Sequence, residues 1–298
     1  MKTTTLSRRR LLARGLCAGA GLTIATSCVS LGDDKTPQRP QGFKLGVCDW
    51  TVGKASNPES FDVAQRLGLD GVQVDFGRGE EDLPLFDTAL QQRILGRAEQ
   101  RQQEIASLAM GVLNDIPYKS DPRAERWVDQ AIDVCRVMEA KIILLAFFGN
   151  GDLKNDAPGT NAVVSRLKNI APKAEKARVT LAIESWLSAA EHMAIIDRVG
   201  SPAVKVYYDV GNSNMMKYDI YQEIRDLRGQ ICQFHAKDYD DLYGKGSIDF
   251  PRVRAAMDAS GYSGWLVMEG VKMPLGVEES CRYDAEYLRP IFPRKIES

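Results

Sequence analysis

The second half of the sequence contains Leu181-Ala182-Ile183-Glu184, a short apolar run that ends in a good metal ligand. Three further runs have the same form, namely Val206-Tyr207-Tyr208-Asp209, Cys232-Gln233-Phe234-His235 and Leu266-Val267-Met268-Glu269. In a (β/α)₈ barrel the C-terminal ends of the strands converge on one mouth, where the catalytic residues lie. The four runs therefore predict a barrel whose mouth carries three carboxylates and one imidazole.

Short apolar runs alternate with longer amphipathic ones from residue 43 towards the C-terminus. Strands are predicted over 43–48, 71–75, 105–110, 141–147, 179–184, 204–209, 230–235 and 264–269. Helices are predicted over 60–67, 87–103, 121–139, 160–177, 189–199, 220–227, 250–259 and 278–288. Eight βα units in about 255 residues match the usual size of a (β/α)₈ barrel.

A doubly wound open sheet is the alternative architecture for such an alternation. It requires a glycine-rich phosphate loop after the first strand, and the segment Asp49-Trp50-Thr51-Val52-Gly53 is not one. The sequence therefore predicts an α/β protein with a single domain, a (β/α)₈ TIM barrel over residues 43–298.

The first 27 residues have the features of an export signal of the twin-arginine (Tat) type. Ser7-Arg8-Arg9-Arg10-Leu11-Leu12 leads into a stretch of small and apolar residues with one further charge, Arg14. Its glycines and Arg14 make this stretch short and weakly apolar for a membrane anchor, the alternative interpretation. We expect cleavage after Ala25-Thr26-Ser27, a linker over 28–42 and a periplasmic protein, or a membrane-anchored lipoprotein if Cys28 is lipid-modified.

The charge balance argues against nucleic acid as a partner. The whole chain carries 39 basic and 40 acidic residues, and residues 1–27 contain five of the basic and none of the acidic ones. The mature chain then has 34 basic and 40 acidic residues, a formal charge of −6. Its sequence has no basic block of the kind that binds a phosphate backbone.

The spacing of the four ligand candidates fits one metal site. Glu184 and Asp209 lie 25 residues apart, Asp209 and His235 lie 26 apart, and His235 and Glu269 lie 34 apart. One βα unit separates each pair, so strands five to eight would present all four side chains to a common point. Three carboxylates and one imidazole suit a divalent cation such as Mn²⁺, Mg²⁺, Co²⁺ or Zn²⁺.

Longer motifs surround these ligands. They are Ile183-Glu184, Tyr208-Asp209-Val210-Gly211-Asn212, Phe234-His235-Ala236-Lys237-Asp238, Gly244-Lys245-Gly246-Ser247-Ile248-Asp249-Phe250 and Met268-Glu269-Gly270. With them the chain resembles the xylose-isomerase-like TIM-barrel family of sugar phosphate isomerases and epimerases. That family includes tagatose-type 3-epimerases, hydroxypyruvate isomerases and enzymes that act on 3-keto-glycosides.

The resemblance implies a ligand set and a mechanism. It implies one divalent cation, with Mn²⁺ expected first, held by Glu184, Asp209, His235 and Glu269. It also implies that Glu184 and Glu269 act as acid and base on opposite faces of a sugar. The proton next to a carbonyl would be removed through an enediolate that the metal stabilises.

Two features of the sequence limit which members of this family the chain can be compared with. Many epimerases carry a histidine three positions after the strand-six aspartate, where this chain has Asn212, which can hydrogen-bond a hydroxyl but cannot act as a general acid. The chain has only two histidines, His192 and His235, whereas the apurinic endonucleases of the superfamily need several to hold three zinc ions. A DNA-repair enzyme is therefore excluded, and a xylose isomerase proper fits poorly.

Other polar and aromatic residues are candidates for substrate contacts, with packing as the alternative for each. The aromatic face of Trp50 or Trp186 could pack against sugar C–H groups. A polar residue inside a barrel, as Gln73 would be, usually has a partner or a function. His192 is interpreted as a packing or surface residue. The predicted substrate-binding residues are Trp50, Gln73, Trp186, Asn212, Lys237 and Lys245.

These observations predict a metal-dependent isomerase or epimerase of a keto-sugar or keto-glycoside. A lyase that cleaves 3-keto-glycosides by β-elimination would use the same site and is the first alternative. A non-catalytic sugar-binding barrel is a third interpretation, and the presence of both glutamates disfavours it. A carbohydrate is the expected partner, and the sequence leaves a homo-oligomer open.

Overall fold

Eight parallel strands close into one barrel in the computed structural model, which describes residues 42–79 and 81–294. Each strand pairs with the next one along the chain, and β8 pairs with β1. The strands are β1 (Lys44–Cys48), β2 (Gly71–Asp75), β3 (Glu104–Met110), β4 (Ile142–Phe147), β5 (Thr180–Ser185), β6 (Val204–Asp209), β7 (Ile231–Ala236) and β8 (Trp265–Met268). The predicted (β/α)₈ TIM barrel is confirmed. The predicted export signal, the linker as far as residue 41 and residues 295–298 lie outside the described residues.

The described chain contains nine α-helices, one more than the sequence predicts. They are α1 (Ser60–Arg66), α2 (Thr88–Arg101), α3 (Pro122–Val137), α4 (Ala157–Ala177), α5 (Ala189–Val199), α6 (Val210–Met215), α7 (Ile220–Leu227), α8 (Phe250–Ser260) and α9 (Val277–Ile291). The additional helix is α6, which directly follows β6. Its sequence is rich in glycine, serine and asparagine, which are typical of loops and carry no apolar period.

Side-chain caps explain where several helices begin. The carboxylate of Asp121 accepts a hydrogen bond from the backbone N–H of Arg123 at the start of α3. Asp156 caps α4 in the same way, so this helix begins at residue 157 and not at the predicted residue 160. At α5, Ser188 and Glu191 form a reciprocal capping box. This cap orients the segment that follows β5.

The apolar core of the described residues has one large part and two smaller ones. The larger part packs the outward side chains of the strands against the helices, and it contains the fully buried Phe61 and Trp127. A smaller cluster fills the barrel interior with Ala109, Leu144, Ala146, Ala182 and Tyr207. Gln73, Ser107 and His235 are also fully buried, so the interior below the mouth is partly polar. Buried polar groups need hydrogen-bond partners, and these partners connect the interior to the site described below.

Trp265 lies at the N-terminal end of β8, on the side of the barrel away from the predicted ligands. The ammonium group of Lys44 lies 5.4 Å from the centre of its ring. A Cβ atom on Gly71 would come within 2.8 Å of the same ring and would also clash with the carbonyl oxygen of Glu104. Glycine is therefore required at that position, and Trp265 has a packing role.

The four cysteines of the described residues, Cys48, Cys135, Cys232 and Cys281, are unpaired. Cys48 is fully buried in the barrel interior, where its thiol lies 3.2 Å from Oε1 of Gln73. Within residues 42–79 and 81–294, no helix combines the length and the apolar character that a membrane crossing requires.

Candidate metal centre

The four predicted ligands converge at the C-terminal mouth of the barrel. Each of Glu184, Asp209, His235 and Glu269 offers one ligand atom, and these four atoms lie within 4.8 Å of one another. Glu184 lies in β5, Asp209 ends β6, His235 lies in β7, and Glu269 directly follows β8. Asp209 and His235 are direct neighbours in the β6–β7 register. Closure of the barrel therefore brings together residues that are up to 85 positions apart, as counted from Glu184 to Glu269.

One carboxylate oxygen of Asp209 caps a helix, and the other faces the cluster. Its Oδ1 accepts hydrogen bonds from the backbone N–H groups of Gly211 and Asn212, at 2.7 and 2.9 Å, and so caps α6. Its Oδ2 is buried and has no hydrogen-bond partner among the described residues. Burial raises the pKa of this carboxyl group. A buried oxygen of this kind is a natural cation ligand, because a cation would compensate its lost hydration.

The imidazole of His235 points one nitrogen into the cluster. Its Nδ1 lies 2.8 Å from Oε1 of Glu184 and 3.4 Å from Oε2 of Glu269. Burial opposes protonation, but the carboxylates of Glu184 and Glu269 outweigh it and raise the pKa of His235. A cation at this point would replace the proton on Nδ1.

The opposite nitrogen of His235 is held by Gln73. Nε2 lies 2.7 Å from Oε1 of Gln73, whose own amide nitrogen donates to Oγ of Ser107 at 2.8 Å and to the hydroxyl of Tyr207 at 3.2 Å. Because these contacts use the amide N–H groups, the Gln73 oxygen must act as the acceptor. Nε2 of His235 is therefore the protonated nitrogen, and Nδ1 keeps its lone pair for a metal.

This geometry corrects the prediction that Gln73 contacts substrate. Its side chain is fully buried below His235 and does not line the cavity at the barrel mouth. The alternation of side chains along β2 placed Gln73 inside the barrel as predicted, but too deep to reach the cavity. Its role is to orient the histidine ligand.

Lys237 forms a charged contact with two of the carboxylates. Its Nζ lies 2.8 Å from Oε2 of Glu269 and 3.5 Å from Oδ2 of Asp209. Burial opposes the charged form of Lys237, but these carboxylates raise its pKa. Burial likewise opposes ionisation of Glu269, and the positive charges of Lys237 and His235 overcome it and lower the pKa of Glu269. Trp50 completes the contacts, because its indole N–H donates to Oε1 of Glu269 at 3.2 Å.

The formal charges of the cluster fit a divalent cation. Glu184, Asp209 and Glu269 supply three negative charges and Lys237 supplies one positive charge. Two positive charges are needed for neutrality when His235 is neutral, and a buried cluster with uncompensated charge is costly. Three carboxylates and one imidazole, with an Asp209 oxygen that has no hydrogen-bond partner among the described residues, therefore suit a divalent cation.

A cavity of about 520 Å³ opens above this cluster. It is lined by Trp50, Ala55, Asp75, Arg78, Ala109, Gly111, Asn114, Leu144, Ala146, Phe148, Glu184, Trp186, Asn212, Lys237, Tyr239 and Glu269. Four of the residues predicted to contact substrate are among them. These are Trp50, Trp186, Asn212 and Lys237. The hydroxyl of Tyr239 donates to Oδ1 of Asn212 at 2.6 Å and holds that amide in place.

Lys245 does not line the cavity, and its predicted role in substrate binding is therefore corrected. The side chain is exposed, and its ammonium group lies 4.5 Å from the centre of the Tyr283 ring. Its loop is joined to α9 by a hydrogen bond from the backbone N–H of Tyr243 to Asp284 Oδ1.

His192 is buried in the segment that follows β5, in agreement with its interpretation as a packing residue. Its Nδ1 lies 3.0 Å from the carbonyl oxygen of Ser188, and its Nε2 lies 2.9 Å from Oγ of Ser185. Burial lowers the pKa of His192 to about 4, so the ring is neutral at physiological pH. The contact with Ser185 supports the strand end that carries Glu184.

Several of the lining residues were not among the predicted substrate-binding residues. Asp75 ends β2, Arg78 lies in a loop, Asn114 ends a short 3₁₀ helix after β3, and Phe148 directly follows β4. Asp75 had a usable signal, because it is a carboxylate at the C-terminal end of a barrel strand. Arg78 and Asn114 had none, since the paths of connecting segments are set by contacts such as that between Asn114 Oδ1 and the N–H of Phe148, at 3.0 Å.

The fold and the ligand cluster define this protein as a (β/α)₈ barrel with a candidate metal centre at its C-terminal mouth. A profile of the Xylose isomerase-like TIM barrel family matches residues 61–291. The chain belongs to that family, as the sequence resemblance predicted.

Individual relatives match this chain at low sequence identity, and two of them are solved structures with the same fold. The chain is 23% identical over 229 residues to L-ribulose-5-phosphate 3-epimerase UlaE of Escherichia coli O157:H7, which covers 71% of this chain and 81% of the relative. The structure of a D-psicose 3-epimerase, solved in the presence of D-fructose, has a TM-score of 0.71 and 16% identity, and covers 84% of this chain and 99% of that one. The 3-keto-D-glucoside 4-epimerase YcjR of E. coli has a TM-score of 0.70 and 14% identity, and covers 83% and 99%.

Proposed function

We propose that the protein is a divalent-metal-dependent isomerase or epimerase of a keto-sugar or keto-glycoside. The observation that carries this proposal is the position of Glu184 and Glu269, which belong to the ligand cluster and also line the cavity. A carboxylate in that position can hold a cation with one oxygen and exchange a proton with substrate through the other. The three relatives described above support it, because each is named as an epimerase of a sugar.

Glu184, Asp209, His235 and Glu269 would hold the cation. Bound there, the cation would polarise a substrate carbonyl and so make the neighbouring C–H group more acidic. We propose Mn²⁺ as the ion, with Mg²⁺, Co²⁺ and Zn²⁺ as alternatives of similar ligand preference.

The two glutamates would move the proton. One removes the carbon-bound proton next to the carbonyl, and the other returns a proton to the opposite face of the same carbon or to the adjacent carbon. The first outcome is an epimerisation and the second an isomerisation. Lys237 and His235 lower the pKa of Glu269, so this carboxylate is ionised and ready to accept a proton at neutral pH.

Other lining residues would position the sugar. Trp50 and Trp186 present aromatic faces that can pack against C–H groups of the ring. The oxygen of Asn212 is occupied by Tyr239, so its amide N–H groups are suited to a sugar oxygen. The ammonium group of Lys237 can offset negative charge that develops on a substrate oxygen.

We further propose that the protein is exported by the Tat pathway and is periplasmic, or membrane-anchored through a lipid on Cys28. An exported enzyme would meet neutral oxidised saccharides more readily than phosphorylated intermediates, which are normally cytoplasmic. Replacement of Arg8 and Arg9 by lysine should retain the protein in the cytoplasm, as measured by cell fractionation. Normal export of that double variant would remove the Tat assignment.

Proton exchange in D₂O tests the proposed chemistry. The metal-loaded protein is incubated with a 3-keto-glycoside and with free keto-sugars, and the products are followed by NMR. Deuterium incorporation with an intact glycosidic bond supports epimerisation or isomerisation. Release of the aglycone would instead establish the β-elimination of a lyase. If substrate C–H groups do not exchange with any of these sugars, the barrel is a binding protein.

A further inference from the structure

The cavity continues beyond the metal ligands to the far side of the barrel mouth. Asp75 ends β2, Gly111 follows β3 and Phe148 follows β4, and all three line the same cavity as Glu184 and Glu269. Strands β2 to β4 lie across the closed barrel from β6 to β8. At about 520 Å³ the cavity falls in the range of roughly 300–1,000 Å³ that encloses drug-sized ligands, so it has room beyond one sugar ring.

Asp75 offers an unused acceptor in this far part of the cavity. The residue is more than nine-tenths buried, and its Oδ1 has no hydrogen-bond partner among the described residues. A Cβ atom on Gly111 would lie 3.7 Å from that oxygen and 3.5 Å from a guanidinium nitrogen of Arg78. The missing side chain of Gly111 therefore leaves space in front of Asp75 Oδ1. Burial raises the pKa of Asp75, although the positive charge of Arg78 and nearby backbone N–H groups oppose the shift.

The charges around this space favour a neutral ligand. Arg78 donates to the carbonyl oxygen of Gly111 at 2.8 Å and to Oδ2 of Asp115 at 2.9 Å. Lys237, the second cation of the described cavity lining, is paired with Glu269 at 2.8 Å. Both cations are thus engaged by acceptors of the protein, and a phosphate would also meet the carboxylate of Asp75. A hydroxyl group is the donor that fits.

An aromatic surface completes the far side. The rings of Phe148 and Trp186 meet edge to face, with centroids 5.3 Å apart and planes inclined at 64°. Both line the cavity. In the order of the strands they lie between Asp75 at the end of β2 and the candidate ligands of β6 to β8. An aromatic surface beside a hydroxyl acceptor is the combination that a sugar ring requires, because a sugar has apolar C–H faces and a polar edge.

We propose that Asp75, Gly111, Phe148 and Trp186 form a second sugar subsite, which holds the neutral glycosyl partner of the reacting sugar through a hydroxyl that donates to Asp75 Oδ1. This inference rests on the proposed function, in which the reacting sugar lies at the metal ligands. It specifies the substrate as a glycoside or disaccharide, in preference to a free or phosphorylated monosaccharide.

Sugar binding tests the subsite without turnover. Trp50 and Trp186 provide a fluorescence signal, with calorimetry as a second measurement, for glucose and for a panel of neutral disaccharides (cellobiose, maltose and trehalose). We expect the wild-type protein to bind at least one disaccharide more tightly than glucose. Asp75→Asn should weaken that disaccharide about tenfold, as expected for loss of a charged acceptor, and should leave glucose within twofold.

Two further variants distinguish an effect on the subsite from a general loss of sugar binding. Gly111→Ala places a methyl group in the space before Asp75 at an ordinary contact distance, and it should weaken the disaccharide but not glucose. Asp133→Asn, which changes an exposed carboxylate of α3 that pairs with Lys173 and lies outside the cavity lining, is the matched control and should change neither. Three results would overturn the subsite. They are an equal loss of affinity for both sugars, no loss of affinity in either cavity variant, and no preference of the wild type for any disaccharide. Absence of C–H exchange with an intact disaccharide preference would instead overturn the proposed function alone.

Discussion

The carboxamide oxygen of Gln73 lies 2.7 Å from Nε2 of His235, directly below the metal-ligand cluster. The amide nitrogen of the glutamine is directed at the hydroxyl groups of Ser107 and Tyr207, so its oxygen is presented to Nε2. Outer partners of this kind set the tautomer and the orientation of a histidine ligand. We therefore expect this fully buried residue to influence how well the site binds a cation.

Gln73→Leu should weaken metal binding by roughly 10- to 100-fold, because Nε2 of His235 loses its acceptor and the ring loses its orientation. His235→Ala should weaken it further, because it removes the ligand itself. The measurement is metal content at fixed free-ion concentration, with metal titration by calorimetry. Gln233→Leu is the matched control, since Gln233 is equally buried in the barrel and its amide N–H donates to the carbonyl oxygen of Ala106. Equal affinity in Gln73→Leu and wild-type protein would contradict this role of Gln73.

Glu184→Gln and Glu269→Gln should each abolish proton exchange while the fold remains intact. The amide cannot accept the proton, and loss of a positioned base lowers the rate by about 100- to 10,000-fold. Solvent deuterium exchange measures the first effect, and circular dichroism with thermal unfolding measures the second. Glu286→Gln, an exposed position on α9, should behave as the wild type. Near-native exchange in either site variant would exclude the two-glutamate mechanism.

Lys237→Met should have opposite effects on metal binding and on activity. Removal of one positive charge beside Glu269 and Asp209 should tighten divalent-cation binding by roughly tenfold, because the ammonium group no longer competes with the cation for these carboxylates. The pKa of Glu269 should rise, since Lys237 helps to lower it. The acid limb of the pH–rate profile should therefore move to higher pH. The rate should fall, because Lys237 no longer offsets negative charge on a substrate oxygen. Weaker metal binding in this variant would show that Lys237 instead orders the ligands.

His192 should make stability depend on pH between its two pKa values. The folded-state pKa is about 4 and the ordinary value is 6.5, so only the unfolded chain takes up the proton in that range. Stability is therefore fully present above pH 6.5 and falls as the pH drops towards 4, by about 3 kcal/mol in total.

Urea unfolding at pH 7 and at pH 4.5 measures this contribution. His192→Gln lacks the titrating ring, so it should lose less stability than the wild type between the two pH values. If the variant and the wild type lose equal amounts, the pKa of His192 is not shifted by folding.

The fold and the ligand set followed from patterns that lie along the chain. Alternating apolar runs predicted all eight strands to within two residues at each end, and the helices followed from amphipathic periods and caps. The candidate ligands could be recognised because each lies within one residue of the C-terminal end of a buried strand. Helix α6 was missed because its residues carry no apolar period, and its stability comes from the cap that Asp209 provides.

The cavity could not be read in the same way. Gln73 and Lys245 were predicted to contact substrate, but the first lies too deep and the second lies over Tyr283. Alternation along a strand tells which side chains face inward, not how far below the mouth they end. Residues of connecting segments such as Arg78 and Asn114 enter the site through contacts with distant segments, which leave no local pattern.

The sequence by itself determined a closed barrel and the four groups at the ends of its last four strands, because strand periodicity and ligand chemistry are local properties. Only the tertiary structure decided which nitrogen of His235 faces the cluster, that Lys237 contacts two of the carboxylates, and that Oδ1 of Asp75 has no hydrogen-bond partner among the described residues. Each of these depends on distances between side chains far apart in the chain, and such distances exist only once the barrel has closed.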